Sequence, residues 1–146
     1  FIYEGLEKAG RDRSEITIDL FVTMSVDENE EKAINDVRAW STSQAATFQV
    51  WKRMPPAWER FQPEFQRAKD SYEFTDHLSL RAEHKQIVST EFVQSVAVAG
   101  NLSHCVERLR EVAALDIDRI TFALLSGGRE RRLRELAEDV IPGVMR

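Results

Sequence analysis

A chain of 146 residues that is 42% hydrophobic and 31% charged carries enough apolar material for one buried core, and no stretch reads as disordered by composition. Its formal net charge of -5 excludes a duplex-binding surface built on clustered Lys and Arg, and no apolar run approaches the roughly 20 residues of a membrane span. With no charged-then-apolar leader, the expected location is the cytoplasm, and with Cys105 as the sole cysteine an internal disulfide is excluded.

Phe1 to Gly10 has the pattern of the closing turns of a helix that stops at glycine. The chain opens in mid-element, which reads as a piece of a longer protein. Ile16 to Val26 is the clearest strand: Ile16, Ile18, Leu20, Val22, Met24 and Val26 alternate with Thr17, Asp19, Phe21, Thr23 and Ser25. In an open antiparallel sheet the polar face meets water. In a closed barrel it points inward, with Thr23 and Ser25 near the carboxyl end, and periodicity leaves both settings open.

Asp27 is the expected N-cap of the next helix, and Glu28, Glu30 and Glu31 put negative charge in its first turn, where the helix dipole favours it. Ile34, Val37, Trp40, Ala45, Phe48 and Trp51 form one stripe, predicting a helix to about Arg53. Trp40 and Trp51 have two readings, core packing and cofactor stacking, and helical spacing favours core. Met54-Pro55-Pro56 stops the helix; short helical pieces follow, with Trp58 and Phe61 in one and Phe65, Ala68 and Tyr72 inward in the other.

From Tyr72 to Val88 the periodicity fades. His77 and His84 are seven apart with no cysteine or HExxH companion, so no metal site is expected, although His77 and Arg81 have the chemistry to contact an anionic substrate. Ser89 is expected to cap a short helix with Phe92, Val93, Val96 and Ala97 inward, closed by Gly100.

The last third reads as helix, strand, helix. Leu102, Cys105, Val106, Leu109 and Val112 share a helical face, which predicts a buried thiol; Arg119 to Leu125 is a strand, and Leu133, Leu136, Ala137 and Val140 resume a helical stripe before Pro142. Between strand and helix lies Ser126-Gly127-Gly128, followed by Arg129, Arg131 and Arg132. Glycines allow close backbone approach, amide groups at a helix start favour anions, and arginine adds bidentate contacts. Three cations in a first turn oppose the helix dipole at about 0.3–1 kcal/mol each when exposed, so either acidic partners or a bound anion must offset them.

The pieces in this order resemble a known family. Gly5 to Ser14, the strand to Val26 and Asp27 to Ala33 look like the approach to the seventh strand of the luciferase-like flavin or deazaflavin oxidoreductases and the run beyond it. Val96 to Gly100, Val106 to Arg110 and Asp118 to Phe122 resemble the family's closing helix-strand-helix, and Glu135 to Pro142 its last helix. Where relatives often have Gly-Thr-Pro-Glu-Glu, this chain has Gly100-Asn101-Leu102-Ser103-His104, in which Asn101 or Ser103 can still cap the helix.

The resemblance implies a helix-rich α/β fold: the C-terminal part of a (β/α)8 barrel, about two strands with surrounding helices. It would be a single segment over residues 1–146, with residues 52–88 as an insertion between the last two strands. It implies an oxidoreductase or monooxygenase using FMN or coenzyme F420 on a small organic substrate. The fragment alone would be inactive and bind no cofactor, since most cofactor contacts belong to the missing N-terminal barrel half. Exposed barrel-facing surface predicts a homo-oligomer. On this reading the cofactor- or substrate-binding residues are Thr23, Ser25, His77, Arg81, Ser126, Gly127, Gly128 and Arg129; catalytic residues are not assigned. The alternative is a self-contained, non-catalytic helical α/β module for partner binding or self-association.

Overall fold

The computed structural model describes residues 1–51, 53–71 and 87–144. After helix α1 (Ile2–Ala9) and a 3-10 turn (Arg13–Glu15) the chain runs through β1 (Asp19–Val26) and α2 (Glu30–Phe48). A second 3-10 turn (Pro56–Phe61), α3 (Gln62–Asp70) and α4 (Thr90–Val96) follow. Then come β2 (Ala97–Gly100), α5 (Leu102–Ala113), β3 (Arg119–Leu124), and a last helical run of α6 (Arg129–Glu135), a π turn (Leu136–Val140) and α7 (Ile141–Val144).

The sheet is parallel throughout, in the order β2-β1-β3. Three strands are present among the described residues where two were expected: Ala97–Gly100 pairs with Thr23 to Val26 and is not the end of a helix. Its four residues are all buried, and so short an apolar run has no period to separate it from the helix before it.

Alternation along the strands divides the core in two. Ala97 and Ala99 face α2, α3 and α4, whose Ile34, Val37, Ala45, Phe65 and Phe92 are buried with them. Val22, Met24, Val26 and Val98 face the other way, onto Cys105 and Leu109 of α5 and Leu136 and Val140 of the C-terminal run. Helices therefore cover both faces of an open sheet. β3 lies beside β1, the neighbour relation expected of the last two strands, and the short β2 pairs with the other side of β1.

Several boundaries move for identifiable reasons. β1 starts at Asp19 and not Ile16, because Arg13–Glu15 forms a turn capped by Asp12, and the Ile18 N–H donates to the Asp118 carboxylate at 2.7 Å. Arg13 holds that carboxylate too, at 2.8 Å, and with the Ile18 N–H keeps Asp118 below the usual carboxylate range. Asn29, not Asp27, caps α2 by accepting from the Lys32 N–H at 3.0 Å, while Asp27 accepts from the Asn29 N–H. The helix ends at Phe48, so Trp51 lies beyond it, 45% exposed against the Phe48 ring. Trp40 packs on Phe21 at 5.7 Å between ring centroids.

Polar groups buried along α2 are satisfied locally: Ser41, Thr42 and Ser43 each donate to the carbonyl four residues back. Arg38, buried in the same helix, donates to the Val88 carbonyl at 2.7 Å and to Thr90 Oγ1 at 2.8 Å, which fixes where the chain returns to the core. Asn101 caps α5, as the sequence allowed. Leu133, in α6, departs from the expected stripe at 56% exposed, and Leu136 and Val140 of the π turn that follows are alone of that stripe buried. The described part of residues 52–88 packs into the α2 core, while Tyr72 and His84 lie outside the described residues.

Cys105 is buried as expected, its thiol directed weakly at the Ser25 and Gly100 carbonyls, and burial pushes its pKa up to about 11. At pH 8 roughly one thiol in a thousand is then ionised, and none meets solvent. Ellman's reagent is expected to leave the folded protein unlabelled on a timescale that labels the urea-unfolded chain completely. Equal rates in both states would contradict this placement.

Candidate functional site at the carboxyl ends of the strands

β1 and β3 are parallel neighbours, yet α2 leaves β1 toward one face and the run after β3 turns toward the other. Open α/β sheets hold ligands where adjacent connections diverge in this way, outside the carboxyl ends of the strands. The Ser126 turn expected from the sequence sits there.

Ser25, with no exposed surface, donates from Oγ to Asp36 Oδ2 at 2.9 Å and lies 3.1 Å from Ser126 Oγ. Since the single proton of Ser25 goes to Asp36, Ser126 is the donor between the two hydroxyls. Ser126 Oγ also accepts from the Val26 N–H at 2.8 Å, replacing the partner that the backbone amide loses where the strands part. Ser126 is 3% exposed. Its hydroxyl is a splice between two strand ends and is not directed at solvent.

An ionic chain borders this splice. Asp27 pairs with Lys32 and accepts from Arg132 Nη2 at 3.3 Å; Lys32 also lies 3.7 Å from Asp36, and Arg132 Nη1 donates to Glu135 at 2.6 Å. Lys32 foremost, then the Asn29 N–H, holds Asp27 below the usual carboxylate range, and Asp27 in turn raises Lys32. Arg132 is 7% exposed with its Nε lacking a partner among the described residues. The opposition between Arg131 and Arg132 and the helix dipole is thus offset by Asp27 and Glu135. Gly128 has φ 69°, a left-handed conformation that accounts for glycine before α6.

Of the expected site residues, the structure brings Ser25, Ser126, Gly127 and Gly128 to one end of the sheet. Thr23 and Ser25 share the face of Ala97 and Ala99 under α2, where Ser25 bonds Asp36 of that helix, and Thr23 is 1% exposed with its hydroxyl unpartnered among the described residues. His77 and Arg81 lie outside the described residues, and Arg129 opens α6. Asp27, Lys32, Asp36 and Arg132 had not been singled out as a group. The Lys32–Asp36 spacing was a visible signal, while the link to Arg132 spans 105 positions and needed the topology.

Lys32 and Arg132 are not free to hold a phosphate. Asp27, Asp36 and Glu135 outnumber Lys32 and Arg132, and both cations are already engaged. The glycine turn leaves room, since a Cβ at Gly127 would meet nothing within 4 Å.

The architecture is a helix-rich α/β fold with a three-stranded parallel sheet and a polar seam at its carboxyl edge. The chain belongs to the luciferase-like monooxygenase family, whose pattern matches residues 1–119. Among solved structures it is similar to the coenzyme F420-dependent tetrahydromethanopterin reductase of Methanopyrus kandleri, at 17% identity and a TM-score of 0.67 over 95% of this chain and 39% of that one. It is also similar to an F420-dependent secondary alcohol dehydrogenase in complex with an F420-acetone adduct, at 18% identity and a TM-score of 0.65 over 97% of this chain and 36% of that one. The chain therefore spans less than two fifths of either protein. No curated protein matches it. No helix among the described residues is long and apolar enough to cross a membrane.

Proposed function

We propose that this chain is the C-terminal portion of an F420- or flavin-dependent oxidoreductase with a (β/α)8 barrel, acting on a small organic substrate. The observation that carries the reading is the family match over residues 1–119. F420 is favoured over FMN because both solved relatives are named for it. The cofactor would supply hydride chemistry, while this chain would wall the carboxyl end of the sheet through the Ser25–Ser126–Asp36 splice. Its phosphate groups would be held by the missing N-terminal half, because Lys32 and Arg132 at this edge are paired with Asp27, Asp36 and Glu135. Absorbance titration tests this: the complete protein is expected to bind F420 more tightly than FMN, and the 146-residue chain to bind neither. Equal binding by the short chain and the complete protein would sink the proposal.

A second reading is favoured by one observation: helices already cover both sheet faces, as in a self-contained α/β module that binds a partner or self-associates. Sufficiency separates the two. Urea unfolding of the 146-residue chain is expected to begin at lower urea than that of the complete protein, and a single cooperative transition with the same midpoint in both would favour the self-contained module.

A further inference from the structure

β3 is bonded to β1 on one side and, among the described residues, to no strand on the other. From Ile120 to Leu124 it carries neither charge nor proline, the devices that keep an exposed edge from taking a further strand. The core thins toward the same edge: Val22 and Met24 of β1 are buried, while their register partners Phe122 and Leu124 are only partly so. Leu136 and Val140 of the C-terminal run are buried against this part of the sheet. Gly143, three residues past Val140, lies against Val106 of α5, and its carbonyl accepts from Arg110 Nε at 2.9 Å, so α5 occupies one flank of the run. Leu133, Ala137 and Ile141 each stand one residue after a buried one, about 100° round the helix on the other flank. Leu133 is 56% exposed and Ile141 43%.

A free strand edge beside an apolar helix flank is the complement of one strand-and-helix unit, whereas a lone strand or a lone helix would cover only half of it. We propose that this surface receives the first strand and first helix of the missing N-terminal half, the strand pairing along Ile120 to Leu124 and the helix packing on Leu133, Ala137 and Ile141. The proposal rests on the reading of this chain as the C-terminal portion of a barrel, in which the last unit closes against the first. The length of the relatives supplies the occupant: the chain covers 39% and 36% of the two similar solved proteins, which leaves more than half of each outside it. A second copy of this chain fits less well. A two-fold that pairs the β3 edges in parallel puts the two C-terminal runs on opposite faces of the joined sheet, where neither covers the other's flank; one that keeps the runs on one face pairs the edges antiparallel, against the direction of every pair in this sheet.

The test is thiol labelling with Ellman's reagent, to which the buried Cys105 is silent. Leu133→Cys and Ile141→Cys are each expected to label about tenfold more slowly in the complete protein than in the 146-residue chain. Glu138→Cys, at an exposed position turned away from both the sheet and this flank, is expected to label at the same rate in the two proteins. Equal rates in the two proteins at either flank position would overturn the proposal. So would slowing of Leu133→Cys within the 146-residue chain alone that grows with protein concentration, the mark of a second copy. Labelling and F420 binding fail separately: a complete protein that binds F420 with both flank variants fully reactive sinks this surface and leaves the cofactor reading standing, and protection without F420 binding does the reverse.

Discussion

Phe92→Ala is expected to lower stability by about 4 kcal/mol. Phe92 is fully buried at the centre of the α2-side core, with ring centroids 5.1 Å from Phe65, 5.3 Å from Phe61, 6.3 Å from Trp58 and 6.4 Å from Phe48. The pairings with Phe61, Phe65, Trp58 and Phe48 are edge-on, a geometry that adds to the apolar transfer term. The side chain anchors α4, which delivers the chain directly into β2, so its loss also loosens the strand that sets the sheet's edge. For a chain of this size a loss of about 4 kcal/mol corresponds to a fall in Tm of roughly 8–16 °C. Urea unfolding of Phe92→Ala alongside Leu133→Ala provides the scale, since Leu133 is 56% exposed and its truncation is expected to stay within about 0.5 kcal/mol. A loss below about 1.5 kcal/mol for Phe92→Ala would mean that the aromatic cluster is not the packed centre of the fold.

That centre was legible in the sequence because it is a helical-period pattern. Ile34, Val37, Phe48, Phe61, Phe65 and Phe92 each recur at a spacing that marks an inward face, and all six pack in one cluster. The strand Ala97–Gly100 was not legible. Four consecutive small apolar residues carry neither period, and what makes them a strand is the ladder to Thr23 through Val26, a contact between segments more than seventy positions apart. Strand order was beyond the pattern for the same reason. Nothing local to Arg119–Leu124 says that it pairs with β1 and not with β2.

The site was half legible. The glycine turn after β3 announced itself through Ser126-Gly127-Gly128, and it does stand at the carboxyl edge of the sheet beside Ser25. Its chemistry reads differently once placed. A serine before two glycines suggests a hydroxyl offered to a ligand, yet Ser126 spends its oxygen on the Val26 amide and its proton on Ser25. Arg132 looked like one of three cations presented to an anion, and it is instead buried between Asp27 and Glu135. Residue type and spacing gave the location; only the three-dimensional partners decide whether a polar group is available.

Arg132 therefore carries the second large expectation, and it separates two roles that a contact list would merge. Arg132→Ala is expected to cost about 2 kcal/mol. Breaking a fully buried pair costs more, and the partial exposure of Asp27 and Glu135 reduces the figure. Arg132→Met keeps the apolar stem that packs at the strand ends and should lose less. Lys32 is the reverse case: its side chain is half exposed, so Lys32→Met should disturb stability less than Arg132→Ala. The order inverts when the readout is the ionisation of Asp27. Lys32 is the larger cause of that group's depressed pKa and Arg132 the smaller, so Lys32→Met should raise it further than Arg132→Ala does. The sign for stability follows from linkage. A carboxylate whose folded pKa lies below its unfolded value, about 3.9 for Asp, contributes fully above that value and loses its contribution as pH falls through the lower folded pKa. The acid-unfolding limb of Lys32→Met should accordingly flatten more than that of Arg132→Ala, even though Arg132→Ala is the less stable protein at neutral pH. Carboxyl-resonance titration of Asp27 with urea midpoints at neutral and acid pH reads both quantities. If a single variant were worse by both measures, the ionic chain at the strand ends would act as one unit, and the division into a buried packing cation and an exposed field cation would be wrong.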